Sequence, residues 1–381
     1  MIESDSNPTV IDQNNQPAEY STSPSGNWRF QISKPRKRPI RIWFWSGAIL
    51  VFLMLVVGGI TRLTHSGLSM VNWEPIMGII PPMNHVQWLD AFNQYKQFPE
   101  YQQLNVGMTL SEFKSIFFWE YLHRLIARTI GLVFIIPFAW FWISGKFNKA
   151  LKKRSLYLLG LGAFQGLMGW IMVKSGLVNK PYVSHYRLTM HLILAFTIFA
   201  FCVWFALDLH LKDRIKKIGK DTFTSLTRWS RSIGALIIIQ VIWGGYVAGL
   251  KAGKIFNTFP KMNGSWIPQH FTSLKPWILN FFQNPTTVQW THRLIGTILG
   301  AVIILFWVRN LTLELDKKTM RLTSVLLGVV LVQYLLGVLT LLYHVPVVLG
   351  VLHQATAMIL WGSWLLFYHH LKNGVQAEGN R

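Results

Sequence analysis

His123-Arg124-Leu125-Ile126 returns later in the chain as His292-Arg293-Leu294-Ile295, and an apolar stretch follows it in both places. Gly131 and Gly300 carry the match inward. Working outward, Gln165 followed by Gly169 is echoed by Gln333 followed by Gly337, and Gly58-Gly59 is echoed by Gly244-Gly245. Landmarks repeated in one order mark an internal duplication, so the chain reads as two halves with one plan.

Each half is built for a bilayer. The 381 residues are 51% hydrophobic and only 14% charged, too little polar surface for a soluble protein of this size. A hydrocarbon core about 30 Å thick needs roughly 20 apolar residues per helix. Ile42 to Thr61, Ser155 to Val173, Leu188 to Leu207 and Ser232 to Leu250 contain no Asp, Glu, Lys or Arg. Two further spans start among polar residues, one near Phe117 running to Gly145 and one near Val288 running to Val308. From Leu322 to Tyr368 nothing is charged, and His344-Val345-Pro346 divides that run into two helices, because proline lacks the N–H the ladder needs. The expectation is an all-α integral membrane protein of eight transmembrane helices, as two tandem four-helix bundles related by a pseudo-two-fold axis along the membrane normal. The divisions fall at a 1–41 tail, a 42–207 N-terminal half, a 208–231 linker, a 232–370 C-terminal half and a 371–381 tail.

The formal charge of +22 raises nucleic acid as a partner, but the basic residues are segregated by loop. Lys34, Arg36, Lys37, Arg38 and Arg41 precede the first span. Lys146, Lys149, Lys152, Lys153 and Arg154 fill the loop after the second, and Lys212, Arg214, Lys216, Lys217, Lys220 and Arg228 the loop after the fourth. The intervening loops, 62–116 and 251–287, are poor in Lys and Arg for their length. Positive loops stay inside, which puts both termini in the cytoplasm and makes membrane lipid, not nucleic acid, the partner of the charge. Residues 1–33, rich in Asn, Ser, Pro and Gln, read as a disordered tail. It has no apolar stretch for a signal peptide, and its acids are unlike an organellar presequence, so a bacterial inner membrane is expected. The single cysteine, Cys202, allows neither an internal disulfide nor a thiolate cluster.

Spans two, four, six and eight each begin at the outer face with a histidine near the start: His123, His191, His292 and His353. One such residue reads as a hydrogen-bonded packing histidine. Four at matched depth read as ligands, since ionisable groups in a bilayer face the bundle interior and mark function. Four residues on, one turn along the same face, stand Ala127, Ala195, Gly296 and Ala357. These small residues suit either a flat macrocycle beside each imidazole or close helix packing. Imidazole is an axial ligand of haem iron, and a four-helix unit can grip one haem from both faces. The repeat pairs His123 with His191 and His292 with His353. A zinc or copper centre built from all four is the rival. Arg124, Arg128 and Arg293 are candidate contacts for haem propionates, with snorkelling to headgroups as the alternative.

The run Gly58-Gly59-Ile60-Thr61-Arg62-Leu63-Thr64-His65-Ser66-Gly67-Leu68-Ser69-Met70, continuing through Trp73-Glu74-Pro75 to Pro81-Pro82, resembles the haem A synthase family, in the branch shared with mitochondria. Glu120-Tyr121-Leu122-His123-Arg124 is similar to that family's Glu-x-x-His-Arg motif, and the likeness spans roughly residues 42 to 370. The resemblance implies oxidation of the C8 methyl of haem O to a formyl group, giving haem A for terminal oxidases. It implies haem b as cofactor on His292 and His353, and substrate haem O on His123 and His191. It also implies haem O synthase and an electron acceptor as partners, with a homo-oligomer open. The outer-loop cysteine pair of many bacterial members is absent. A dihaem b-type cytochrome or a haem transporter would use the same histidines. Glu120 speaks for the enzyme, because it aligns with Gln289, and of the two only a carboxylate exchanges protons near neutral pH.

Overall fold

A computed structural model describes residues 38–71, 80–176, 182–210 and 216–377. The tail expected to be disordered and the Trp73-Glu74-Pro75 part of the first-loop signature lie outside them. Eight helices are long and apolar enough to cross a membrane. They are α1 (Arg38–Leu63), α4 (Leu110–Ile143), α5 (Lys149–Gly176) and α6 (His185–Asp208), then α7 (Lys220–Gly249), α9 (Pro285–Asn310), α10 (Lys317–Leu342) and α11 (Val347–Gly374). Short helices α2 (His85–Tyr95) and α3 (Pro99–Leu104) lie in the loop between α1 and α4, and α8 (Asn280–Gln283) ends the loop between α7 and α9.

Each half closes on itself in the same order. In the first, α1 touches α4, α4 touches α5, α5 touches α6, and α6 returns to α1; in the second, α7, α9, α10 and α11 repeat that ring. The halves meet through their first and last spans, α1 against α11 and α6 against α7, with α6 also on α11. Their common core runs through Phe44, Phe196, Ile233, Ile237, Ile303, Met358 and Phe367.

Local chemistry explains where the helices begin, bend and end. Span two starts seven residues before Phe117, because Thr109 and Glu112 form a reciprocal capping box that carries α4 out of the bilayer. Pro137, inside α4, cannot donate to the carbonyl of Val133; the Trp43 indole N–H donates to it instead at 3.1 Å. The break expected at His344-Val345-Pro346 is a turn in which His344 and Val345 have φ of 60° and 63°. Asn257 caps the end of α10 by donating to the Leu341 carbonyl at 2.7 Å. The basic linker and the C-terminal tail hold more structure than the sequence reading assigned them. α7 begins at Lys220, α11 runs to Gly374, and strand β1 (Lys216–Ile218) pairs in parallel with β2 (Val375–Ala377).

At the α1–α4 loop Phe92, Tyr95, Phe113 and Phe117 form a small aromatic cap at the N-terminal end of α4. The α7–α9 loop is held by amides. Buried Asn280 donates to the carbonyls of Leu274 and Trp277, and Asn284 to that of His270.

Candidate functional site

The glycines of the repeat and the four histidines meet one to one. A methyl group added to Gly58 would stand 3.0 Å from Cε1 of His123, one on Gly169 would stand 3.2 Å from His191, one on Gly244 would stand 3.2 Å from His292, and one on Gly337 would stand 2.9 Å from His353. Every imidazole therefore lies edge-on against the bare backbone of the preceding span in its own half, where any side chain would displace it. In three of the four cases a glutamine sits four residues before the glycine, so a Gln-x-x-x-Gly unit faces the ring: Gln165 with Gly169, Gln240 with Gly244, Gln333 with Gly337. The fourth, on α1, has Met54 in that place.

These glutamines orient the rings. His353 donates from Nδ1 to the backbone carbonyl of Gln333 at 3.2 Å, which leaves the lone pair on Nε2. The Gln165 amide approaches Nε2 of His191 at 3.2 Å and the Gln240 amide approaches Nε2 of His292 at 3.4 Å. An amide N–H donated there also requires a lone pair on Nε2. Among buried side-chain atoms, Nδ1 of His123, His191 and His292 have no hydrogen-bond partner in the described residues. Unpartnered buried atoms also occur at Ser155, Thr227 and Asn310, so the histidines are singled out by their matched glycine contacts and not by this feature alone. At Gly296, one of the four small positions, the space beneath His292 is filled by Gln240.

The His292 and His353 ring centres lie 6.5 Å apart with planes at 83°. With about 2 Å from metal to imidazole nitrogen and about 1.2 Å more to each ring centre, two imidazoles on opposite sides of one metal stand about 6.4 Å apart. The ring-centre separation of this pair matches that spacing. No group of three or more potential metal ligands converges among the described residues, and all four histidines are described, so the single four-histidine centre is excluded by geometry.

The α1–α4 and α7–α9 loops are latched to the helices that carry His123 and His292. Glu120, 3% exposed, accepts from Ser69 Oγ and from the Met70 N–H, each at 2.8 Å, and pairs with Arg124. Arg124 also donates to the Met70 carbonyl. In the second half Gln289, 2% exposed, donates to the Phe256 carbonyl at 3.0 Å, while Arg293 donates to the carbonyls of Phe256 and Thr258. Two of the three candidate propionate arginines thus hold loop backbone. Arg128 lies one turn deeper on α4.

Beside this latch lies an acid that sequence reasoning passed over. Glu100, 5% exposed, accepts from the Tyr95 hydroxyl inside the aromatic cap. Burial, reinforced by Glu120, raises its carboxyl to about 7, while Tyr95 and Lys251 pull the other way. Near the mouth of α1, burial lowers His65 to about 4, helped by Lys251, Arg62 and Lys254, and keeps it neutral. The glycine sockets were missed as well, although the thrice-repeated Gln-x-x-x-Gly was a readable signal.

Residues 41–365 match the model of a family described as cytochrome oxidase assembly protein. The chain is 45% identical over 336 residues to a heme A synthase of Nitrosospira multiformis, covering 88% of this chain and 94% of that one. A heme A synthase of Nitrosomonas eutropha is 46% identical, with 86% and 92% covered, and one of Flavobacterium psychrophilum is 46% identical, with 87% and 98% covered.

Proposed function

The chain belongs to the cytochrome oxidase assembly protein family, and from that membership we infer that it is a haem A synthase. It is an oxidoreductase of the membrane that oxidises the C8 methyl of haem O to the formyl group of haem A. The observation that carries the chemistry is the His292–His353 spacing, which suits one bis-imidazole haem, set in a half whose Gly–His contacts the other half repeats. The second half is assigned haem b on His292 and His353. The first is assigned the substrate, with His123 and His191 as its iron ligands.

When bound, haem b supplies a one-electron carrier beside the substrate. The chain's own residues do the rest. The glycine sockets hold each imidazole edge-on, and Arg124, Arg128 and Arg293 are placed at or below the outer latch, where propionates would lie. Glu120 is the candidate catalytic carboxylate. Held by Ser69, Met70 and Arg124, it presents fixed negative charge that stabilises positive charge developing at the methyl carbon, and it is a candidate acceptor for the protons released.

The first-loop run from Gly58 to Met70 supports placement in the branch shared with mitochondria. The alternating basic loops support a bacterial inner membrane with both termini cytoplasmic. The two halves, divided at the 208–231 linker, are related by an axis along the membrane normal. Haem O synthase, an electron acceptor and a second copy of the chain are the proposed partners.

The test is production of haem A in a host that lacks its own synthase but makes haem O. Expression should yield extractable haem A, and the purified protein should retain haem b. Haem b without haem A would identify a b-type cytochrome instead.

A further inference from the structure

Each glycine pair does two jobs. The first glycine of each seats a histidine of its own half, and the second faces the last span of the other half. Gly59 lies against Gln354 of α11, so that a methyl group there would stand 3.3 Å from the amide oxygen; Gly245 lies against Thr189 of α6. Gln354 is the residue after His353, and Thr189 is two residues before His191. Both crossings therefore run from a histidine of one half, through a glycine pair, to a histidine of the other.

The crossings differ in one respect. At α1–α11 the Gln354 amide donates to the carbonyl of buried Leu55 at 2.9 Å. Leu55 is one turn from Gly58 on α1, which touches His123. At α6–α7 the Thr189 hydroxyl is turned back to the His185 carbonyl of its own helix, at 2.8 Å, and only van der Waals contact crosses the gap. Electron tunnelling decays less steeply along covalent and hydrogen bonds than across a van der Waals gap. The polar group is also conspicuous, since an amide inside a membrane protein needs a partner and this one takes it from the other half.

We propose that Gln354 is the electron-coupling residue between the two haem sites: electrons taken from the substrate side at His123 pass along Gly58 and Leu55, across the Gln354 hydrogen bond, to His353. This rests on the two-site reading above. One electron moves at a time, the substrate site being oxidised and the cofactor site reduced. Gln354 positions the bridge and touches neither reacting atom.

Gln354→Leu and Gln354→Met remove the donor and keep the bulk. In protein holding haem on both sites, a laser pulse that injects one electron reports the rate at which it equilibrates between them. Both variants should keep haem content, visible spectra and midpoint potentials while that rate falls several-fold, and Thr189→Val should leave the rate at the wild-type value. An unchanged rate in both Gln354 variants overturns the route. Loss of haem or shifted potentials in both variants also overturns it, in favour of a packing role. A wild-type protein that never holds more than one haem per chain overturns the two-site reading itself, a result seen before any variant is made.

Discussion

The two loop latches share an arginine that donates to loop carbonyls and differ in hydrogen-bond polarity at one position, Glu120 against Gln289. In the first half the loop offers two donors, the Ser69 hydroxyl and the Met70 N–H, which the helix answers with a carboxylate, Glu120, and one acceptor, the Met70 carbonyl, which it answers with Arg124. In the second the loop offers only acceptors, the carbonyls of Phe256 and Thr258, and the helix answers with the amide of Gln289 and with Arg293. The Glu-to-Gln difference that reads in sequence as catalytic against inert is therefore also what each loop demands. A carboxylate facing Phe256 would be repelled, and an amide facing Ser69 and Met70 would lose the extra strength, about 1 kcal/mol per bond, that charge lends a hydrogen bond. Experiments that treat the halves separately divide the two accounts.

The largest expected effect is at the iron ligands. His292→Ala or His353→Ala should abolish the low-spin haem signal of the purified protein, each leaving one axial ligand. His123→Ala or His191→Ala should keep that signal and end haem A production. If all four substitutions bleach the same single haem, the assignment of one site to each half is wrong.

Next comes the carboxylate. Glu120→Gln keeps an acceptor oxygen for Ser69 and Met70, so haem b should stay near the normal amount while haem O or a hydroxylated intermediate accumulates. Haem A made at the wild-type rate would confine Glu120 to the latch. Gln289→Glu should confer no second activity. It should instead loosen the loop at Phe256, seen as faster proteolysis between residues 251 and 287.

Smaller still is the effect of filling the sockets. Gly337→Ala presses a methyl group to within 2.9 Å of His353, whose Nδ1 is tied to Gln333 and cannot retreat. It should raise the rate of haem b loss to an external haem scavenger. Gly58→Ala meets His123, whose Nδ1 has no such tether, and should lower turnover with haem b retained. Equal haem b loss from both variants would mean that the sockets serve the bundle as a whole.

What could be read in advance follows from what a bilayer enforces. An uncharged run of about twenty residues has few other fates, and a histidine inside one is costly enough to announce itself, so the eight spans, the break at His344-Val345-Pro346 and the four histidines were legible. Pairing was not. That Gly58 seats His123 while Gly59 meets Gln354 depends on how two helices cross, and neighbouring glycines look alike in a sequence. The outer loops were hidden for a different reason. Their order comes from side chains bonded to backbone, as Asn280 to Leu274 and Glu120 to Met70, and such bonds carry no periodicity. Glu100 read as an ordinary acid of a polar loop, because nothing in its neighbours foretells that Phe92, Tyr95 and Phe113 close around it.

That acid gives the smallest and most local contrast between the halves. The α1–α4 loop buries a titratable carboxyl, whereas the α7–α9 loop is held by the neutral amides of Asn280 and Asn284. Burial holds Glu100 at about 7 in the folded cap, against an ordinary value of 4.5. A carboxyl raised on folding binds its proton more tightly in the folded state. Its contribution is therefore fully present below about pH 4.5 and is lost as pH rises through 7, by a few kcal/mol at most. Amide-exchange protection of residues 85–104, corrected for the intrinsic rate, should decline between pH 5 and pH 8, while that of residues 270–287 stays level. Glu100→Gln, which keeps an acceptor for Tyr95 and cannot ionise, should flatten the first profile and leave the cap better protected than wild type at pH 8. A decline that persists in the variant would assign the pH response to another group, with His65 the least suited, since a histidine lowered to about 4 loses its stabilising effect on acidification and not on the alkaline side.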